Sequence, residues 1–286
     1  MQADFENDLF TYSILDPTGN ITALVTSAVS PEKRTAAAQE IMRLHPEVEQ
    51  VGFVRFADPA PDMEAGNGEP EIELAMAGGE FCGNASMSAA AMYLLRQEQE
   101  QCGGSESGKT LQTVRLRVSG AEQVVEVTLE KQEDGSFHAD VLMPPALKIE
   151  RREFAFGIFC AELPVVFMGG ISHIIIEEAS TFAFLIWDKQ AAEAAAESWC
   201  GELDADGLGL MFLRYDDLTP LVYVPASGTM VWENSCASGT TAAGMYLAEK
   251  SGRPVSLTFG EPGGTLTVQS DSSTGRTVLS GTVRMR

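Results

Sequence analysis

Apolar residues along this chain fall mostly in short runs with a spacing of two, the pattern of half-buried strands. Residues 9–15 and 21–25 flank Asp16-Pro17-Thr18-Gly19-Asn20, a cluster of turn formers, so two strands joined by a turn are expected near the start. Residues 51–56, 71–76, 110–118, 123–130 and 136–143 continue the rhythm, and Glu133-Asp134-Gly135 supplies a hairpin turn before the last of these. Strands are expected again at 164–168, 173–177, 208–213, 221–224, 255–259, 265–269 and 277–285. Residues 57–70 and 102–109, rich in Gly, Pro and acids or Gly and Ser, read as loops.

Four stretches carry helical spacing instead. Ser30-Pro31-Glu32 has a capping residue followed by proline at the first helical position, and Ala36, Ala37, Ile41, Met42 and Leu44 give one apolar face up to His45-Pro46. Residues 189–199 form an alanine-rich helix. The remaining two, 85–96 and 237–249, consist mainly of Ala, Gly, Ser, Thr and Met, and each starts beside a cysteine. Cys82-Gly83-Asn84-Ala85-Ser86 and Cys236-Ala237-Ser238-Gly239-Thr240 run into helices of the same design, each ending its repeat on Met-Tyr-Leu. That is an internal repeat, with the cysteines 154 positions apart in a chain of 286.

Composition narrows the function. A length of 286 residues, 44% of them hydrophobic, allows two lobes of ordinary size. No apolar run approaches the roughly 18 residues of a membrane span, and the acidic start does not resemble a leader. A formal charge of −22 makes nucleic acid and anionic membranes poor partners, so an anionic substrate group would need local positive potential such as a helix N-terminus. Five cysteines, an odd number without a C-x-x-C pair, fit a reduced, cytoplasmic chain without a disulfide framework or a metal site. Cys102, Cys160 and Cys200 are expected to be small buried hydrophobes.

Cys82 and Cys236 differ in position. Each sits where a loop enters a helix, and unsatisfied N–H groups there favour a thiolate and can also hold a carboxylate. Inverting an α-carbon without a cofactor needs a base on one face and an acid on the other. A thiolate facing a thiol meets that need for either enantiomer, and the helix N-termini would stabilise charge spreading into the carboxylate.

At these residues the chain resembles the diaminopimelate epimerase-like family, and more closely its branch of histidine racemases. The likeness rests on Gly19-Asn20, on Gly79-Glu80-Phe81-Cys82-Gly83-Asn84, on Cys236-Ala237-Ser238-Gly239-Thr240 and on Pro262-Gly263-Gly264-Thr265-Leu266. The resemblance implies an α+β fold of two pseudo-symmetric lobes, each a mostly antiparallel β-sheet wrapped around a central α-helix, with the active site in the cleft between them. Residues 1–145 would form the lobe carrying Cys82 and residues 146–286 the lobe carrying Cys236, with the final strand crossing back. It implies PLP-free racemisation with no cofactor and no metal. Cys82 and Cys236 would be the catalytic thiols; Gly83, Asn84, Ala237, Ser238 and Asn20 would bind the α-carboxylate end, with His173 as a supporting residue.

Departures from the family bear on the substrate. The family's Asn-Pro-His is Ile171-Ser172-His173 here, an expected asparagine falls near Leu208, and an expected Glu-Arg pair falls at Ser227-Gly228. Without those groups a distal carboxylate would be buried without a counter-charge, which argues against diaminopimelate. Glu73 and Glu233 are candidate residues of an acidic or neutral distal pocket, suited to histidine or another amino acid without a distal carboxylate. Diaminopimelate epimerase proper, a proline-racemase-like isomerase of another small carboxylate, and a binding protein with a redox-switchable disulfide are the alternatives. The expected partner is a small-molecule amino acid, and a homodimer is the candidate assembly.

Overall fold

The computed structural model describes residues 2–5, 8–57, 69–100 and 111–286, with side chains from residue 10 onward. The loop expected at 102–109, and most of that at 57–70, lie outside the described residues.

The strands of the first half are β1 (Gln2–Phe5), β2 (Asp8–Pro17), β3 (Thr22–Val25), β4 (Gln50–Phe56), β5 (Ile72–Met76), β6 (Gln112–Val118), β7 (Val125–Lys131) and β8 (Phe137–Met143). From β2 to β8 each strand pairs with the next, and β17 (Arg276–Met285) pairs with both β8 and β2, closing an eight-stranded barrel. Helix α2 (Gly83–Glu100) packs against every stave of it. Every residue from Gly83 to Met92 is buried, so the helix is surrounded on all sides and only small or flexible side chains fit. Helix α1 (Pro31–Leu44) lies outside, burying Ala37, Ala38 and Ile41 at helical spacing. Ser30 has extended cap geometry, but its side chain makes no capping hydrogen bond.

In the second half, β9 (Lys148–Phe156), β10 (Phe159–Met168), β11 (Ile171–Glu177), β12 (Leu208–Arg214), β13 (Asp217–Val224), β15 (Val255–Glu261), β16 (Gly264–Asp271) and β17 form a second run of paired strands. β14 (Thr229–Trp232) hairpins off β13. This sheet curves around α4 (Ala237–Ser251), buried from Ala237 to Tyr246 and ended by Gly252 in left-handed conformation (φ 65°). Outside lies α3 (Lys189–Leu203), capped by Asp188, whose side chain accepts from the Ala191 N–H at 3.1 Å. The order of elements in the first half thus recurs: hairpin, outer helix, parallel return, hairpin, inner helix, parallel return.

The result is an α+β fold with a closed eight-strand barrel and, among the described residues, four α-helices. No described helix is long and apolar enough to cross a membrane. Four elements were absent from the sequence expectation, the first of them β1. β9 carries Arg151, Arg152 and Glu153, whose exposure on an edge strand hides any alternation. β14 is short, and a 3-10 turn at Ala183–Trp187 precedes α3. Cys160 is a correction as well: it is exposed at the start of β10, whereas Cys200 is buried as expected and donates to the Ala205 carbonyl at 3.2 Å.

Two backbone contacts join the halves next to the cysteines. A Cβ at Gly120, which has φ 72°, would stand 2.8 Å from the Glu80 carbonyl carbon, and Gly170 packs against Gly120 from the other half. Gly19 meets Gly263 equally closely, so a Cβ on Gly263 would stand 2.7 Å from the Gly19 Cα. The two glycine motifs singled out in the sequence, at 19 and 263, are therefore two sides of one contact, required because backbone touches backbone there.

Candidate active site

Cys82 immediately precedes α2, and Cys236 is the residue before the first turn of α4, with extended backbone (φ −130°, ψ 100°). The N-termini of these two inner helices face each other. Asn84 Nδ2 donates to the Ser235 carbonyl at 3.1 Å, and a Cβ on Gly83 would stand 2.8 Å from that of Ala237. Cys82 and Cys236 line one cavity, both are free thiols, and they are 5% and 3% exposed. The structure thus contains no disulfide between them, as a switchable binding protein would have in its oxidised state.

Gly83, Asn84, Ala237 and Ser238 line the same cavity. Asn84 Oδ1 is buried without a partner. Asn20 is fully buried behind the wall: its Nδ2 donates to Glu49 at 2.8 Å, and Glu49 is what lines the cavity. Asn234 closes the other side of Glu49 through its side chain and its N–H, the latter at 3.1 Å.

Glu233 lines the cavity and is fully buried. Glu73 does not belong there. It projects outward from β5 and pairs with the opposite Arg55 at 2.6 Å on the exposed face of the barrel. Alternation along Ile72, Leu74 and Met76 accounts for this: the apolar residues take the inside and Glu73 the outside. His173 is completely buried with neither ring nitrogen partnered, and burial pushes it down to about 3, so it is neutral. It stands across from Gly209, where a Cβ would strike its ring, and Met211 fills the space between that glycine and Gly239, beside the Cys236 sulfur. His173 therefore lies behind the wall and does not line the cavity.

Four polar residues that carry the site's electrostatics were given no role by the sequence reading: Glu49, Gln50, Glu261 and Glu80, the last standing unassigned inside the motif at 79–84. Gln50 Oε1 accepts from the Cys82 thiol at 2.5 Å, while its Nε2 donates to Glu233 Oε1 at 2.6 Å. Glu80 has one carboxyl oxygen buried without a partner, and burial raises it. Glu261 caps α4, accepting from the Cys236 N–H at 2.7 Å and from the Thr240 hydroxyl. Among the described residues lining the cavity none is Lys, Arg or His, so its charge is that of Glu49, Glu80 and Glu233.

This acidity alters the expected thiol chemistry. The Ala85 N–H does point at Cys82 Sγ, at 3.3 Å, in the sense that favours a thiolate. Burial outweighs it, and with Glu233 and Glu80 nearby pushes the Cys82 thiol well up. Cys236 is raised by burial and then by Glu233, with Glu261 adding to the effect and Ser238 opposing it. Both shifts favour the protonated thiols.

Burial pushes Glu233 and Glu261 up to about 8 each. Both folded values lie above the unfolded one, so the folded protein holds more protons between about pH 4.5 and pH 8. Stability present on the acid side is lost as pH rises through the folded values. The melting temperature is therefore expected to fall by roughly 2–4 °C per pH unit between pH 6 and 8. Calorimetry across that range checks this, and a Glu261→Gln variant should flatten the slope.

The barrel with a helix along its axis, joined to a second sheet around a matching helix, defines the protein's class: this is the fold of proline racemase-like and PhzF-like proteins. A probable proline racemase from Agrobacterium radiobacter, solved with carbonate, matches it with a TM-score of 0.63 at 13% identity over 97% of this chain and 90% of that one. A predicted epimerase from Pseudomonas aeruginosa matches with a TM-score of 0.61 at 16% identity over 96% of each chain. More particularly, the family model described as "Histidine racemase CntK N-terminal domain" matches residues 10–285, and the chain belongs to that family. A histidine racemase of Fusobacterium nucleatum is 32% identical over 244 residues, 82% of this chain and 79% of that protein. One of Staphylococcus aureus is 26% identical over 267 residues, 91% and 88% respectively. The protein is an isomerase of the racemase type. The diaminopimelate epimerase-like label is the coarser, fold-level description of the same kinship.

Proposed function

We propose that the protein racemises histidine, without a cofactor, by a two-base mechanism in which Cys82 and Cys236 act from opposite faces of the α-carbon. The observation that supports this most directly is the pair of free thiols, one before each inner helix, lining a single cavity. The reading treats residues 1–145 and 146–286 as two pseudo-symmetric lobes with the cavity in the cleft between them. It is a cytoplasmic activity needing neither PLP nor metal.

The steps follow from the groups present. The substrate carboxylate meets the N-terminal N–H groups of α2 and α4 around Gly83, Asn84, Ala237 and Ser238. Its α-ammonium meets Glu49, which Asn20 and Asn234 hold in place, or Glu80. The substrate's α-ammonium offsets the carboxylates that hold the thiols up, so once substrate is present one thiol can pass its proton to Glu233, the carboxylate that acts on both. That thiolate removes the α-hydrogen while the opposite thiol delivers one, and the helix N-termini stabilise the charge entering the carboxylate.

Histidine is favoured over diaminopimelate by the names of the relatives and by the wall. The outer part of the cavity is formed by Thr35, Gln39, Met42, Ser227, Thr229 and Val231, apolar or hydrogen-bonding groups without a cation for a second carboxylate. Single L-amino acids incubated with the reduced protein in D2O test the proposal. Histidine is expected to gain α-deuterium and lose optical activity. Exchange of diaminopimelate alone would overturn the substrate assignment, and exchange of no amino acid while both thiols are free would overturn the activity.

A further inference from the structure

The wall of the cavity is short of hydrogen-bond donors. Among the described residues, the buried side-chain atoms of this wall that lack a partner are Glu80 Oε2, Glu233 Oε2 and Asn84 Oδ1, all of them acceptors. The α-carboxylate of a substrate can satisfy none of these, so its α-ammonium and its side chain must bring the donors.

Two carboxylates of the wall stand at different junctions of the two halves. Glu49 belongs to the junction of Gly19 and Gly263: Asn20 and Asn234 donate to it, and the Asn234 carbonyl accepts from the Gly263 N–H at 2.7 Å. Both of its oxygens have partners. Glu80 belongs to the junction of Gly120 and Gly170. A Cβ on Gly170 would stand 3.3 Å from the Glu80 Cα, and the Ser119 hydroxyl donates to the Glu80 carbonyl at 2.9 Å. Burial raises the Glu80 carboxyl, while the backbone N–H groups of Glu80 and Gly78 act the other way.

The unpartnered oxygen of Glu80 lies against Gly78 and Val224. A Cβ on Gly78 would stand 2.6 Å from both Glu80 Oε2 and Val224 Cγ1, so a glycine there leaves room for the carboxyl. The Val224 carbonyl accepts from the Ser227 hydroxyl at 3.2 Å, and Ser227 in turn meets Thr229, two residues of the outer wall. Glu80 is therefore fixed through its backbone, with one oxygen left bare beside the outer part of the cavity, where a substrate side chain would lie.

The geometry points to Glu80 as the residue that selects the side chain of the substrate, its bare oxygen accepting from a ring N–H of histidine while Glu49 takes the α-ammonium. This assignment rests on the proposed function above and adds to it the group that reads the imidazole. A side chain ending in an N–H satisfies the buried oxygen; a ring of the same shape without one leaves a buried acceptor unpaired and is rejected.

4-Thiazolylalanine tests this, having the shape of histidine but sulfur in place of one ring nitrogen and no ring N–H. Wild-type kcat/KM is expected to favour histidine over 4-thiazolylalanine by roughly 10²-fold, the scale of leaving a charged acceptor unpaired. In Glu80→Leu, which removes the acceptor and suits a buried position, the preference should collapse to within about threefold. In Glu80→Gln, close in shape and keeping an uncharged acceptor, it should stand near roughly tenfold. A preference that is missing in the wild type, or that survives in both variants because both substrates lose equally, would overturn the assignment of Glu80. A wild type that racemises no amino acid would overturn the proposed function itself, and the role of Glu80 with it.

Discussion

Replacing either Cys82 or Cys236 with alanine is expected to reduce racemisation by roughly 10³-fold or more, the scale of losing a positioned acid or base. Each variant should still exchange the α-hydrogen of one enantiomer with D2O, and the two variants should differ in which enantiomer that is. The surviving thiol can take a proton from its own face and return it there, but cannot deliver one from the other. Both side chains are small and buried, so alanine leaves only a modest void and the fold should persist, which a melting curve verifies. NMR of the exchanging substrate together with polarimetry separates exchange from inversion. Normal inversion by either variant would remove the two-base mechanism.

The second large effect is at Glu233. The Glu233→Gln variant is expected to lose roughly 10²-fold in kcat, because an amide cannot take up a thiol proton. The pH profile carries the sharper test. With Glu233 pushed up to about 8 by burial, its ionised form grows as pH rises through that value. Wild-type kcat/KM should therefore climb on approaching pH 8, and that rising limb should be missing in Glu233→Gln. A variant that keeps both its rate and its limb would remove Glu233 from the chemistry.

The framework of this site was legible in the sequence because it is written twice. A single cysteine before a small-residue helix carries little information, but Cys82 and Cys236 at matching stages of two halves could hardly be coincidental, and both prove to line one cavity. Gly19 and Gly263 were visible as motifs, although their reason, a backbone contact between distant turns, appears only in three dimensions. Glu73 was misplaced by attention to its charge, when the alternation of its own strand already sent it outward. Gln50 and Glu49, at the start of a strand, Glu80, after a turn, and Glu261, at the end of a strand, look in sequence like any solvated residues of an acidic chain. Nothing local announces that their oxygens are removed from water, because burial comes from packing with segments far along the chain. The same packing reversed the expected direction of the thiol shifts: helix N–H groups are a local feature, and the surrounding carboxylates are not.

Strand β17 has a further consequence for how the molecule comes to be made. Its residues close the barrel against β8 and β2 and also border the second sheet through β16. The first 143 residues alone therefore have a gap where one stave belongs, with Phe137 to Met143 on β8 left unpaired along that edge. On a ribosome this half waits, an open trough around α2, until some 140 further residues have been synthesised, as the pairing of Ser280 with Asp140 requires. Newly made chains should accordingly be vulnerable to aggregation and reliant on holding factors until that stave arrives, after which both halves lock in a single cooperative event.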